Sequence, residues 1–150
     1  MAFNVVQDYA HAQFLYENLL ARAQGSSPGA RDAYFAREEI ALAQNDLATA
    51  ELRLDLISGV IEKRKRPDDA EVARHILLER AKIDYFNGLF DSSLAKLEVV
   101  MAEPGSDYAN DAIALHTLIS ENRGHNAALK LFEKAELVGM GRDRQAAISA

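Results

Sequence analysis

The chain contains no cysteine. Disulfides, thiolate metal sites and cysteine nucleophiles are therefore outside its chemistry. That absence leaves the compartment open, because cytoplasmic and periplasmic proteins can both do without cysteine. Tryptophan is missing, aromatics are 7% of the residues, and the β-branched and aromatic runs that a sheet requires do not occur. Three prolines and eight glycines fall at a few places and leave long uninterrupted segments. No apolar run approaches the ~20 residues of a membrane-spanning helix. The first residues, MAFNVVQDYAHAQF, are polar and acidic where a signal peptide is basic and then apolar. Positive charge is in short supply too. With 17 Lys and Arg against 23 Asp and Glu the net charge is −6, and such a surface does not displace counterions from nucleic acid.

What is present favours helices. Hydrophobic residues make up 49% of 150 and charged residues 27%, enough for a domain with a buried core. Ala, Leu, Glu, Arg and Lys dominate, and these side chains lose little freedom on entering a helix. Apolar residues recur at three- and four-residue spacing almost throughout. We expect an all-α chain of about seven to eight helices. The segments are about 3–24, 28–44, 46–65, 69–87, 90–103, 107–121 and 126–138, with boundaries good to a few residues. Gly139-Met140-Gly141 is expected to break the seventh helix before a short eighth. Ser27-Pro28 starts the second helix, and the basic run Lys63–Arg66 closes the third.

The clearest stretch is Leu77 to Pro104, LLERAKIDYFNGLFDSSLAKLEVVMAEP. Ala81, Tyr85 and Phe86 lie on one face of a first helix. Asn87-Gly88 ends it, since glycine most easily takes the left-handed conformation found just past a helix end. Phe90, Leu94, Leu97 and Val100 form the stripe of a second helix, and Pro104-Gly105 stops it. So short a connection makes the two helices antiparallel. The pattern recurs. Ala41–Ile57 overlays Asp84–Val100, with Asn45 on Gly88, Leu47 on Phe90, Ala50 on Ser93, Leu54 on Leu97 and Ile57 on Val100. Upstream, Tyr34 falls on Leu77 and Arg37 on Arg80, a shift of 43 residues (77 − 34). A third, truncated copy places Leu131 on Leu77, Lys134 on Arg80, Ala135 on Ala81 and Arg142 on Gly88.

This register resembles the tetratricopeptide repeat. The central copy carries Ala81, Tyr85, Gly88, Phe90, Leu97 and Pro104 at or within one residue of the family pattern, with Ser93 where the family prefers Ala. The resemblance covers about Ala30 to the end, and its repeats are longer than the usual period of about 34 residues. It implies an antiparallel helix-hairpin solenoid. The expected pairs are about 30–64, 70–103 and 126–150, with added helices at about 3–24 and 107–121, in a single domain over 1–150. Because the chain stops inside a helix with no polar cap, we expect these residues to be a piece of a longer bacterial repeat protein.

Catalytic chemistry is hard to find. His11, His75, His116 and His125 share no metal-ligand spacing, and there is no GxSxG elbow, no GxxxxGK[ST] loop and no GxGxxG after a strand. Glu38-Glu39 is expected on a solvated helix face, and Asp68-Asp69 at a helix N-terminus, where negative charge is favoured. We expect no enzyme, no metal and no cofactor. The resemblance implies instead a scaffold that takes a peptide or a partner's helix in a concave groove lined by the first helix of each pair. Carried over position by position, the groove falls on Glu39 in the first copy, on His75, Lys82, Tyr85 and Phe86 in the second, and on Glu136 in the third. Lys82 and Tyr85 are the preferred members, since an ammonium or a phenol can face solvent while its stem packs. Phe35, Leu78 and Phe132 are expected to be core. Two alternatives stay open: a ligand-sensing or regulatory helical domain of a larger signalling protein, and a self-association module that dimerises through its exposed last helix.

Overall fold

A computed structural model of the chain describes residues 11–12, 14–15, 17–18, 28–62, 69–103 and 105–149. All regular structure among the described residues is helical. Six helices follow in order: α1 (Pro28–Ala43), α2 (Leu47–Glu62), α3 (Asp69–Phe86), α4 (Phe90–Met101), α5 (Ala109–Glu121) and α6 (Asn126–Ser149), with one 3₁₀ turn at Arg123–His125. The described residues between 11 and 18 are helical as well. The rest of the expected first helix, Ser27, the basic run Lys63–Arg66 and Pro104 lie outside the described residues. No described helix is long and apolar enough to cross a membrane. The chain divides into two compact units, Met1–Val60 with Leu137–Ala150, and Ile61–Glu136, the boundary falling inside α6.

Two of the connections are the same turn. After α1, the Asp46 N–H donates to the Ala41 carbonyl at 2.8 Å and the Asn45 N–H to Leu42 at 2.9 Å. After α3, the Leu89 N–H donates to Asp84 at 2.8 Å and the Gly88 N–H to Tyr85 at 2.9 Å. This nested pair is the Schellman arrangement, which needs a left-handed residue at its apex. Asn45 has φ 58° and Gly88 φ 69°. Asn is the non-glycine residue that reaches this region at least cost, and glycine reaches it freely. The first bond of the following helix repeats too, Ala50 N–H to Asp46 and Ser93 N–H to Leu89, both at 3.0 Å. The two copies differ at their caps. Asp46 Oδ1 accepts the Thr49 N–H at 3.0 Å and caps α2. Leu89, in the matching place, offers no capping side chain.

Burial follows the same register. Ala50, Leu54 and Ile57 in the first unit, and Ser93, Leu97 and Val100 in the second, are all 0% exposed. In the second unit α3 packs on α4 and α4 on α5. Leu78, Ala81 and Tyr85 of α3 meet Phe90, Leu94, Leu97 and Val100 of α4, and Ala112, Ile119 and Leu129 close the cluster. Ala81 and Ser93 are the small residues at this contact. Ser93 Oγ donates to the Ala81 carbonyl at 2.8 Å, so its hydroxyl is buried with a partner. Each large side chain buried here contributes about 1.5–3 kcal/mol.

Two expectations are corrected. Gly139-Met140-Gly141 does not break the last helix: α6 runs without interruption from Asn126 to Ser149. A glycine inside a helix costs only about 0.5–1 kcal/mol against alanine, too little to end it unless the chain also turns into the left-handed region. Gly88 is the one glycine that does so among the described residues. The third copy therefore lacks the turn expected at Arg142. Glu38 does not lie on a solvated face either. It is 0% exposed while Glu39 is exposed. Its place is the one Ala81 holds in the second copy, and the register, not the charge, decides which way it points.

Candidate functional site

The chemistry that the structure gathers lies along one side of α3, within the second unit. The helix opens with Asp69 and Glu71 in its first turn, where carboxylates favour the exposed N–H groups. Glu71 reaches the loop before α5: its Oε1 accepts Ser106 Oγ at 2.8 Å and the Asp107 N–H at 3.3 Å, and its Oε2 pairs with Arg74 at 2.5 Å. The Ser106 hydrogen bond, with help from Arg74 and Asp107, holds the Glu71 carboxyl below its ordinary range. One turn on, His75 stacks on the Tyr108 ring, with centroids 4.4 Å apart and planes 11° off parallel. Glu71 and His75 thus pin the loop of residues 105–108 against the helix.

Glu79 comes next and sits between two basic side chains, His75 and Lys82. Its Oε1 lies 3.5 Å from His75 Nε2 and accepts Lys82 Nζ at 2.7 Å. Glu79 is 6% exposed, whereas His75 and Lys82 are half-buried. Burial opposes its ionisation, but the His75 hydrogen bond and the Lys82 ammonium outweigh burial and hold the carboxyl below its usual value. A buried carboxylate with two basic partners keeps its charge without an isolated-ion penalty. The His–Glu–Lys order follows from spacing, since residues three and four apart are neighbours on a helix.

Tyr85 ends the line. It is 2% exposed, and its hydroxyl donates to Glu136 Oε2 of α6 at 2.7 Å. Its ring meets Phe86 and Phe90 at tilted angles, with centroids 5.2 and 6.0 Å away. Burial first, and the Glu136 and Glu133 carboxylates after it, push the phenol's pKa up. The hydroxyl is spent on Glu136 and is not offered to solvent.

Of the expected groove residues, His75 and Lys82 meet on Glu79, while Tyr85, Phe86 and Glu136 form a second group in which Tyr85 is buried in the core and turned to Glu136. Glu39 is exposed on α1, in the other unit. Phe86 is half-buried beside the core. Leu78 is core as expected, Phe35 is half-buried, and Phe132 is 48% exposed. Sequence reasoning missed Glu79 and Tyr108. The i, i+4 spacing of His75 and Glu79 and the i, i+3 spacing of Glu79 and Lys82 were available signals. The stack of His75 on Tyr108 joins residues 33 positions apart in sequence and had none.

Two clefts lie in the same unit. One, of about 530 Å³, lies at the α3–α4 turn among Gly88, Leu89, Asp91, Arg123, Asn126 and Lys130, with Arg123 paired to Asp91 at 2.7 Å. The other, of about 350 Å³, is more apolar and lies among Leu118, Asn122, Ala128, Leu129 and Phe132. Among the described residues no group of three or more His, Asp or Glu side chains could hold a metal ion. No protein-family model, no curated protein and no solved structure matches the chain.

Proposed function

We propose that the chain is a non-enzymatic interaction scaffold of tetratricopeptide-repeat type, which takes a peptide or a partner's helix along the His75–Lys82 side of α3. The observation that carries the proposal is the duplicated turn. The same set of hydrogen bonds, with a left-handed residue at the same place, closes α1 and α3. A fold that repeats one hairpin unit is the basis of solenoids, in which each pair contributes the same helix to a common concave face. On this proposal α1–α2 and α3–α4 are copies of one repeat hairpin, and His75, Lys82 and Phe86 of the second copy line its binding face. Lys82 and His75, tethered by Glu79, are pre-positioned donors, and pre-positioning lowers the entropy cost of binding.

The test is selection of a displayed peptide library on the folded chain, then affinity measurement with Lys82→Glu and His75→Ala, both on the α3 strip. Selected peptides are expected to lose about tenfold or more in affinity with at least one substitution, about 1.4 kcal/mol. Failure to enrich any peptide, or binding indifferent to both changes, would overturn the proposal.

A second reading, self-association, rests on a separate observation. Leu131 is 71% and Phe132 48% exposed, beside the apolar cleft between α5 and α6. Light scattering on the chain and on Phe132→Asp decides it: a dimer that the substitution turns into a monomer supports it, and a monomeric parent chain ends it.

A further inference from the structure

Glu133 has no part in the proposed groove. It lies on α6 and is 3% exposed, and its Oε2 is buried with no hydrogen-bond partner among the described residues. A carboxylate so placed is costly, because desolvation penalises the charged form. The neutral donor nearest in kind is the Tyr85 hydroxyl of α3, which faces both Glu133 and Glu136 but already donates to Glu136. The charged groups acting on Glu133 from its own helix are Lys130 and Lys134, both exposed to water.

We propose that Glu133 is a proton-operated latch: the second unit is held most firmly when this carboxyl is the neutral acid, and is loosened when it ionises. The direction of its titration agrees. Burial raises its pKa above the ordinary 4.5, and the two lysines oppose that rise without cancelling it. For an acid whose folded value is raised, the stabilisation is complete below the ordinary value and is lost as the pH climbs through the folded one. The carboxyls of Glu79, Glu71 and Asp46 are shifted the other way, so their contributions are lost below their ordinary values, 4.5 for the two glutamates and 3.8 for Asp46. The two kinds of group therefore act in separate windows.

The experiment is thermal unfolding of the whole chain and of Glu133→Gln from about pH 5 to about pH 8. The Tm of Glu133→Gln relative to the parent is expected to rise across this range by about 3 °C or more, because Gln cannot ionise. Parallel profiles would overturn the proposal. Should Glu133→Gln not fold, the side-chain carboxyl of Glu133 in the parent chain, followed by NMR through the same range, serves instead. A midpoint at or below the ordinary glutamate value sinks the idea, and one clearly above it sustains it.

Discussion

Asn45 and Gly88 occupy the same point of two identical turns, and they are the two residues with positive φ among the described residues. The match makes each turn a control for the other. Gly88→Ala places a Cβ in the left-handed region and is expected to cost about 1–2 kcal/mol. The new Cβ would also meet Lys130 Cε at 3.0 Å, but that is the end of a flexible side chain and can move. Asn45→Gly relieves a similar strain and should change stability by no more than about 0.5 kcal/mol. Urea unfolding of both variants checks this; a neutral Gly88→Ala would mean that the turn is not held by its apex.

Ser93 tests the close approach of α3 and α4. Ser93→Ala removes the bond to the Ala81 carbonyl and should cost about 1 kcal/mol or less, since the whole bonded pair is small and the site stays filled. Ser93→Leu adds three carbons at a fully buried position and should cost about 1–3 kcal/mol through overpacking. The order of the two midpoints in denaturant is the measurement. Equal costs would show that the helices do not meet at this residue.

The Glu79 pair has a pH signature. Lys82→Met removes the closer of its two basic partners and should destabilise by about 1 kcal/mol near neutrality. Glu79 is an acid with a lowered folded pKa, so its contribution is present above the ordinary 4.5 and fades as the pH falls through the folded value. The gap between Lys82→Met and the parent should therefore close in acid. Unfolding at neutral pH and at about pH 3 gives the answer, and a gap of constant size would place the effect in the lysine's packing instead.

Tyr85→Phe keeps the ring in the core and deletes the donor to Glu136, for an expected loss of about 1 kcal/mol. Burial and two carboxylates raise the folded pKa of the phenol, so the parent should lose stability as the pH rises past about 10, while the phenylalanine variant is spared this contribution. Absorbance titration of the tyrosines should show one fewer late-titrating group in Tyr85→Phe. An unchanged titration would mean that the hydroxyl is not shielded.

Local chemistry determined a good deal by itself. Helices from Pro28 to Glu121 follow from the spacing of apolar residues and from the turn residues between them, both of which act within one or two turns of the backbone. The inward stripe Phe90, Leu94, Leu97 and Val100 and its shifted partners Ala50, Leu54 and Ile57 were legible for the same reason. Other features depended on groups far apart in sequence. Whether Gly139 ends a helix is settled by a balance of under about 1 kcal/mol, which local propensity does not resolve. Packing turned Glu38 inward although its charge argued for solvent. Tyr85 was expected to show its hydroxyl to a partner, and Glu136, 51 residues on, claimed it. A stripe of apolar residues says which face is buried; only the tertiary structure brings to a buried polar atom its distant partner or, as at Glu133, leaves one oxygen without any among the described residues.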